Sequence, residues 1–280
     1  MQRHRRALIA ASASRGGPRI TAAVSYRPCL PAVLDPPPTE EQWRRIARET
    51  LVLEAEGEVV AVGWARNLGA WAHVCQVIVD PAWRGQGVGR RLMEALARHL
   101  RGAGCTHWYL NVKRDDVPAL RLYASAGLGA PEETAALKVP WSVVPALPAT
   151  AAAPPALAPA EEDRALEARF GLVPGTIGAA RDRGSLPIRL GWPASALALF
   201  DPAFPGASCF RVERPDLARP LLEAIRPHAP RSVPHVTIVA EDPGVAGRLV
   251  GAGAEVRMEL YRLAGAIPPA GKMFGSETFV

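Results

Sequence analysis

The chain has 280 residues, 49% hydrophobic and 21% charged, which is enough apolar content to bury one large core or two small ones. It contains no run of eighteen apolar residues and so no candidate membrane-spanning helix. The formal net charge of +6 suits an anionic ligand, while the dispersed arginines and the absence of a recognised nucleic-acid motif disfavour DNA or RNA as the partner.

Residues 1–34 carry six arginines and no acidic residue. Two readings follow: an organellar transit segment, or a loose basic tail at 1–19 ahead of a first strand at Ile20–Tyr26. The second is favoured and gives a cytoplasmic expectation. Asp35-Pro36-Pro37-Pro38-Thr39 is a turn that leads into a helix over Glu40 to Arg48 with Thr39 as cap. Leu51–Ala55 and Val59–Ala65 flank Glu56-Gly57-Glu58 as a hairpin, and Ala72–Val79 is the next strand, with His73, Cys75, Val77 and Val79 on one face.

That strand runs through Asp80-Pro81 into Arg84-Gly85-Gln86-Gly87-Val88-Gly89-Arg90, and then into an amphipathic segment with Leu92, Leu96 and Leu100 four apart. A strand turning through three glycines into a helix start presents backbone N–H groups at the positive end of the helix dipole. Side chains at Gly85, Gly87 or Gly89 would hold a phosphate away from those groups, and Arg84 and Arg90 add positive charge. The spacing is neither G-x-G-x-x-G nor a P-loop.

Gly102-Ala103-Gly104 ends the helix, and His107–Val112 is a fifth strand. Asp115 and Asp116 cap a helix that has Pro118 in its first turn and Gly127 at its end; Ala135–Trp141 is a short strand. Residues 142–160 are almost all Ala and Pro without charge, a semi-rigid linker. Beyond it, Asp242 to Gly253 repeats the layout of Asp116 to Gly127, each preceded by an apolar strand, with Leu249 where Tyr123 stands. The strand Ser208–Val212 passes into a helix over Asp216–Ile225 with no glycine turn. Cys29, Cys75, Cys105 and Cys209 lack ligand spacing, so reduced thiols and no metal are expected.

Val79-Asp80-Pro81 with the R-x-x-G-x-G of Arg84 to Gly89, followed by Asp116 to Leu128 with its L-Y-x-x-x-G core, resembles the two signature segments of the GNAT (Gcn5-related) N-acetyltransferases. The resemblance covers roughly residues 20–141. It implies an α/β fold with a mixed sheet and flanking helices, and it makes residues 161–267 a degenerate second lobe of the same kind, with a tail at 268–280. It further implies acetyl-CoA as co-substrate, held by Val77, Ile78, Val79 and the turn from Arg84 to Arg90, and a primary amine as acceptor. Asp116 stands where the family usually has a cofactor-contacting Asn, and Tyr123 matches the family's general acid. His73 is the candidate base, with Glu54 and a water chain as competitors. A non-catalytic acyl-CoA-binding module is the alternative function. Acceptor identity and oligomeric state are not legible.

Overall fold

A computed structural model describes residues 19–22, 44, 46–55, 57–148 and 150–269. The predicted helix over Glu40–Arg48, its Thr39 cap, the tail at 1–19 apart from Arg19, which opens a strand, Cys29 and most of the C-terminal tail fall wholly or largely outside those residues. Contacts divide the chain into two compact units. Among the described residues, the first comprises those from Arg19 to Asn67, 73–104 and 267–269, and the second 68–72 and those from Cys105 to Ala266.

The first unit holds strands β1 (Arg19–Ala22), β2 (Thr50–Ala55), β3 (Glu58–Leu68) and most of β4 (Trp71–Val79), in that order across the sheet. The β1–β2 and β2–β3 pairs are antiparallel. Helix α1 (Val88–Gly102) lies against β3, burying Leu92, Met93, Leu96 and Leu100, the leucine stripe legible in the sequence. The approach is close: a Cβ on Gly63 of β3 would stand 2.9 Å from Leu96 Cδ1. Only glycine lets the helix sit that low.

The second unit contains β5 (His107–Lys113), α2 (Val117–Ser125), β6 (Gly129–Pro140), β7 (Pro155–Leu157), α3 (Asp163–Arg169), α4 (Thr176–Asp182), β8 (Leu186–Leu190), β9 (Ala196–Asp201), β10 (Gly206–Val212), α5 (Ala218–Ile225), β11 (His235–Ala240), α6 (Pro243–Gly251) and β12 (Glu255–Ala266). Its strands lie in the order β5-β12-β6-β11-β10-β9-β8-β7. The final strand of each half has crossed to the other. β12 is antiparallel to β5 (Leu260 opposite Lys113, Ala266 opposite His107), and β6 is antiparallel to β11 (Pro140 opposite His235, Ala135 opposite Ala240).

Where β6 and β12 meet, the internal echo becomes geometry. Thr134 faces Leu260, and the register is reciprocal about that pair: Glu255 opposite Lys138 answers Ala264 opposite Gly129, and Met258 opposite Ala136 answers Arg262 opposite Glu132. A register shift occurs on each side, between Val256 and Met258 and between Arg262 and Ala264. The helices follow suit, since Asp116 caps α2 by accepting from Ala119 N–H at 3.1 Å and Asp242 caps α6 by accepting from Val245 N–H at 2.9 Å. Gly127 and Gly253 end them with positive φ.

Two sequence expectations change. The short strand expected at Ala135–Trp141 spans twelve residues, because β6 has a partner on each side and its polar first half, Gly129 to Glu133, pairs with β12. The described residues of 142–160 are more than a bare spacer: residues Trp141–Ala146 form a 3-10 turn, β7 pairs with β8, and Val144, Leu147 and Ala158 are buried. Val144 and Leu147 supply most of the apolar area buried there, and proline is tolerated at the outermost strand, where no ladder bond is lost.

Candidate active site

The glycine turn sits at the exit of β4. Val79 ends the strand, and Asp80 Oδ1 accepts from Ala82 N–H at 2.8 Å, capping the 3-10 turn Pro81–Trp83. Arg84 Nε donates to Val79 O at 3.0 Å, tying the turn to the strand, and Gln86 Nε2 donates to Ala82 O at 2.9 Å. Gly85 (φ +75°) and Gly87 (φ +76°) occupy the left-handed region, and a Cβ on either would meet nothing within 4 Å. Glycine is therefore set there by backbone conformation and not by packing within the protein. Gly87 is the N-cap of α1, and the first helical bond runs from Arg91 N–H to Gly87 O at 3.1 Å. The amides of Val88 and Gly89 precede that bond and have no intrahelical acceptor. No acidic residue lies in the first turn to compete for them.

On β4, Ala72 and Val74 are buried and alternate with half-buried His73 and Cys75, while Val77, Ile78 and Val79 are all half-buried. Cys75 Sγ donates to His73 O at 3.4 Å. Ile78 packs on the Val52, Val59 and Val62 cluster. His73, the strand Val77–Val79 and the residues from Arg84 to Arg90 all belong to the first unit, with Val79 next to the turn and His73 near the far end of β4, about 20 Å away along the strand. Glu54, the competing base, is half-buried on β2.

Tyr123 and Asp116 belong to the second unit. Tyr123 is the buried residue of α2, with 7% of its surface exposed. Burial pushes its phenol up to about 12, and the Asp116 carboxylate adds to the rise. Asp116 is occupied as the α2 N-cap. In the echo, Leu249 on α6 is buried at the matching place and carries no proton to give.

The second unit also holds a cavity of about 840 Å³ that the sequence did not disclose. Its walls include Trp71, Tyr109, Phe170, Arg211, Glu241 and Arg262. The available signal was charge on an apolar strand face: Arg211 follows Ala207 and Cys209 in β10, and Arg262 follows Val256, Met258 and Leu260 in β12. Cys209, two residues before Arg211, is buried, which raises its thiol to about 12 against the lowering effect of the Arg211 guanidinium. Among the described residues no group of three or more His, Cys, Asp or Glu is placed to hold a metal.

The acetyltransferase (GNAT) family profile matches residues 21–128, the stretch that contains the glycine turn and Tyr123. Over that stretch, less than half of the chain, the sequence is similar to the GNAT family. It is 38% identical over 86 residues to a mycothiol acetyltransferase of Nocardiopsis dassonvillei, covering 28% of this chain and 26% of that protein. It is 36% identical over 94 residues to glucosamine 6-phosphate N-acetyltransferase 1 of Oryza sativa subsp. japonica, covering 27% of this chain and 57% of that protein. These curated relatives are matched over about a quarter and somewhat more than half of their length. A solved tandem GNAT protein from the clavulanic acid biosynthesis pathway aligns over 93% of both chains with a TM-score of 0.51 at 16% identity. The GNAT fold therefore accounts for both halves of this chain.

Proposed function

We propose that the protein transfers the acetyl group of acetyl-CoA to a primary amine by direct attack. The observation that carries this reading is the turn itself, in which Gly85 and Gly87 are held at positive φ at the mouth of α1, inside the stretch that matches the GNAT family. The amides of Val88 and Gly89 and the charge of Arg84 suit a pyrophosphate. Gly85 and Gly87 leave the approach clear, since no protein atom lies near their missing Cβ positions.

Acetyl-CoA supplies the activated acyl carbon. In the transfer, an N–C bond forms, the C–S bond breaks, the amine loses a proton and the departing sulfur gains one. We assign the amine's proton to His73, because imidazole is the side-chain base best suited to proton transfer near neutral pH. We assign Tyr123 to the sulfur. A phenol held near 12 is protonated throughout the physiological range. A thiol ionises at about 8.5, so complete transfer from Tyr123 would be uphill by roughly 5 kcal/mol. The tyrosine therefore acts chiefly as a hydrogen-bond donor while the C–S bond lengthens, and solvent completes the protonation.

The test is calorimetry with acetyl-CoA on the wild type and on Gly87→Trp, with circular dichroism as the folding control. Micromolar binding that the variant loses while remaining folded supports the reading. Absence of binding by the wild type overturns it.

A further inference from the structure

We infer that the cavity of the second unit binds a small zwitterion with an apolar body, of the size and charge arrangement of an aromatic amino acid. Its charge pattern is bipolar. At one end Glu241 is shared by two arginines, paired with Arg211 and accepting from Arg262 Nη1 at 3.1 Å. Two guanidinium groups against one carboxylate leave that corner with an excess positive charge. Arg262 is further fixed by stacking on Tyr109, 4.5 Å from the ring centroid. Arg211 Nε is buried, with no hydrogen-bond partner among the described residues. The Arg211 guanidinium also lies against the Cys209 thiol, and two planar guanidinium groups on one cavity wall make that corner a receptor for a carboxylate.

The opposite charge lies one strand away. Of the two carboxylates on β6 in the cavity wall, Glu133 is taken by Arg114 at 3.0 Å. Glu132 stands directly across the ladder from Arg262 and forms no ion pair among the described residues. One exposed carboxylate beside the arginine corner fits an ammonium group a few ångströms from the ligand's own carboxylate. The remaining wall is apolar: Phe170 and Leu172 on the α3–α4 loop face it with Trp71, whose ring is stacked on His107 at 4.7 Å. That loop is itself held rigid, because buried Glu167 accepts from Gly175 N–H at 2.9 Å and Ile177 N–H at 2.8 Å. A volume of about 840 Å³ lies in the range of small-molecule sites.

The inference concerns binding alone and is tested without acetyl-CoA, so its failure and that of the acetyl-transfer reading are separable. Calorimetry of the full chain is run with L-phenylalanine, with phenylacetate, which lacks the ammonium, and with phenethylamine, which lacks the carboxylate. Phenylalanine is expected to bind at least tenfold more tightly than either analogue. Arg211→Lys keeps a cation against Glu241 but removes the Nε–H, and should weaken phenylalanine at least tenfold. Glu132→Gln, at an exposed position that does not endanger the fold, should weaken phenylalanine and leave phenylacetate unchanged. No saturable heat with phenylalanine up to about 10 mM, equal affinity for phenethylamine, or indifference to Glu132→Gln would each overturn the inference.

Discussion

The Tyr123 phenol is kept neutral by two neighbours of different kinds, the apolar surround of α2 and the carboxylate of Asp116. The two can be separated. Asp116→Asn retains a side chain that caps a helix well and removes the charge, so Tyr123 should titrate below its wild-type value of about 12 with little change in stability. Ultraviolet titration of the variant, read against Tyr123→Phe to isolate this one of the chain's four tyrosines, measures the shift. The sign of the stability effect follows. A folded-state pKa above the unfolded value of about 10 means stability from this group is full below pH 10 and declines between 10 and 12. Tyr123→Phe should flatten that part of the decline. In turnover the same variant should lose about 10²-fold in kcat with acetyl-CoA affinity nearly unchanged, and an unaltered kcat would remove Tyr123 from the mechanism.

At the scale of the element, the most exacting position is one that carries no chemistry. Gly265 in β12 lies where a Cβ would stand 2.1 Å from the carbonyl oxygen of Gly127, the residue that closes α2. That oxygen belongs to backbone and cannot rotate away. Gly265→Ala must push the last strand off the α2–β6 corner, at a cost of about 3 kcal/mol or more. Urea unfolding checks it, and a loss under 1 kcal/mol would mean the corner yields easily. Such constraints show how much the sequence disclosed. The glycine turn, the leucine stripe of α1 and both Asp caps are local patterns within a few residues, and each stands where the pattern put it. Gly265 and the arginine corner of the cavity are set by contacts between residues far apart in the chain, and no spacing rule contains those contacts. Residues 142–160 misled for a related reason: their composition suits a linker, and only the neighbours supplied by the fold make Val144 and Leu147 interior residues.

The whole molecule turns on the exchange of final strands. β5 takes its antiparallel partner from residues 260–266, and β6 is flanked on both sides by strands that begin after residue 234. The sequence break at 142–160 therefore does not separate the hydrogen-bonding of the two halves. Cutting the chain after Trp141 would expose one edge of β5 and both edges of β6, a total of three unpaired strand edges, together with apolar residues such as Leu137 and Val139 that are fully buried in the intact chain. Unpaired edges of that kind recruit other chains. The expected result for residues 1–141 made alone is aggregation or an unfolded chain. The same fragment co-expressed with residues 142–280 should be recovered as a one-to-one complex, because every missing strand partner is then present. Size-exclusion chromatography with light scattering distinguishes the cases. A monodisperse, cooperatively unfolding 1–141 fragment would show that the exchanged strands are dispensable and that the N-terminal half closes its sheet without them.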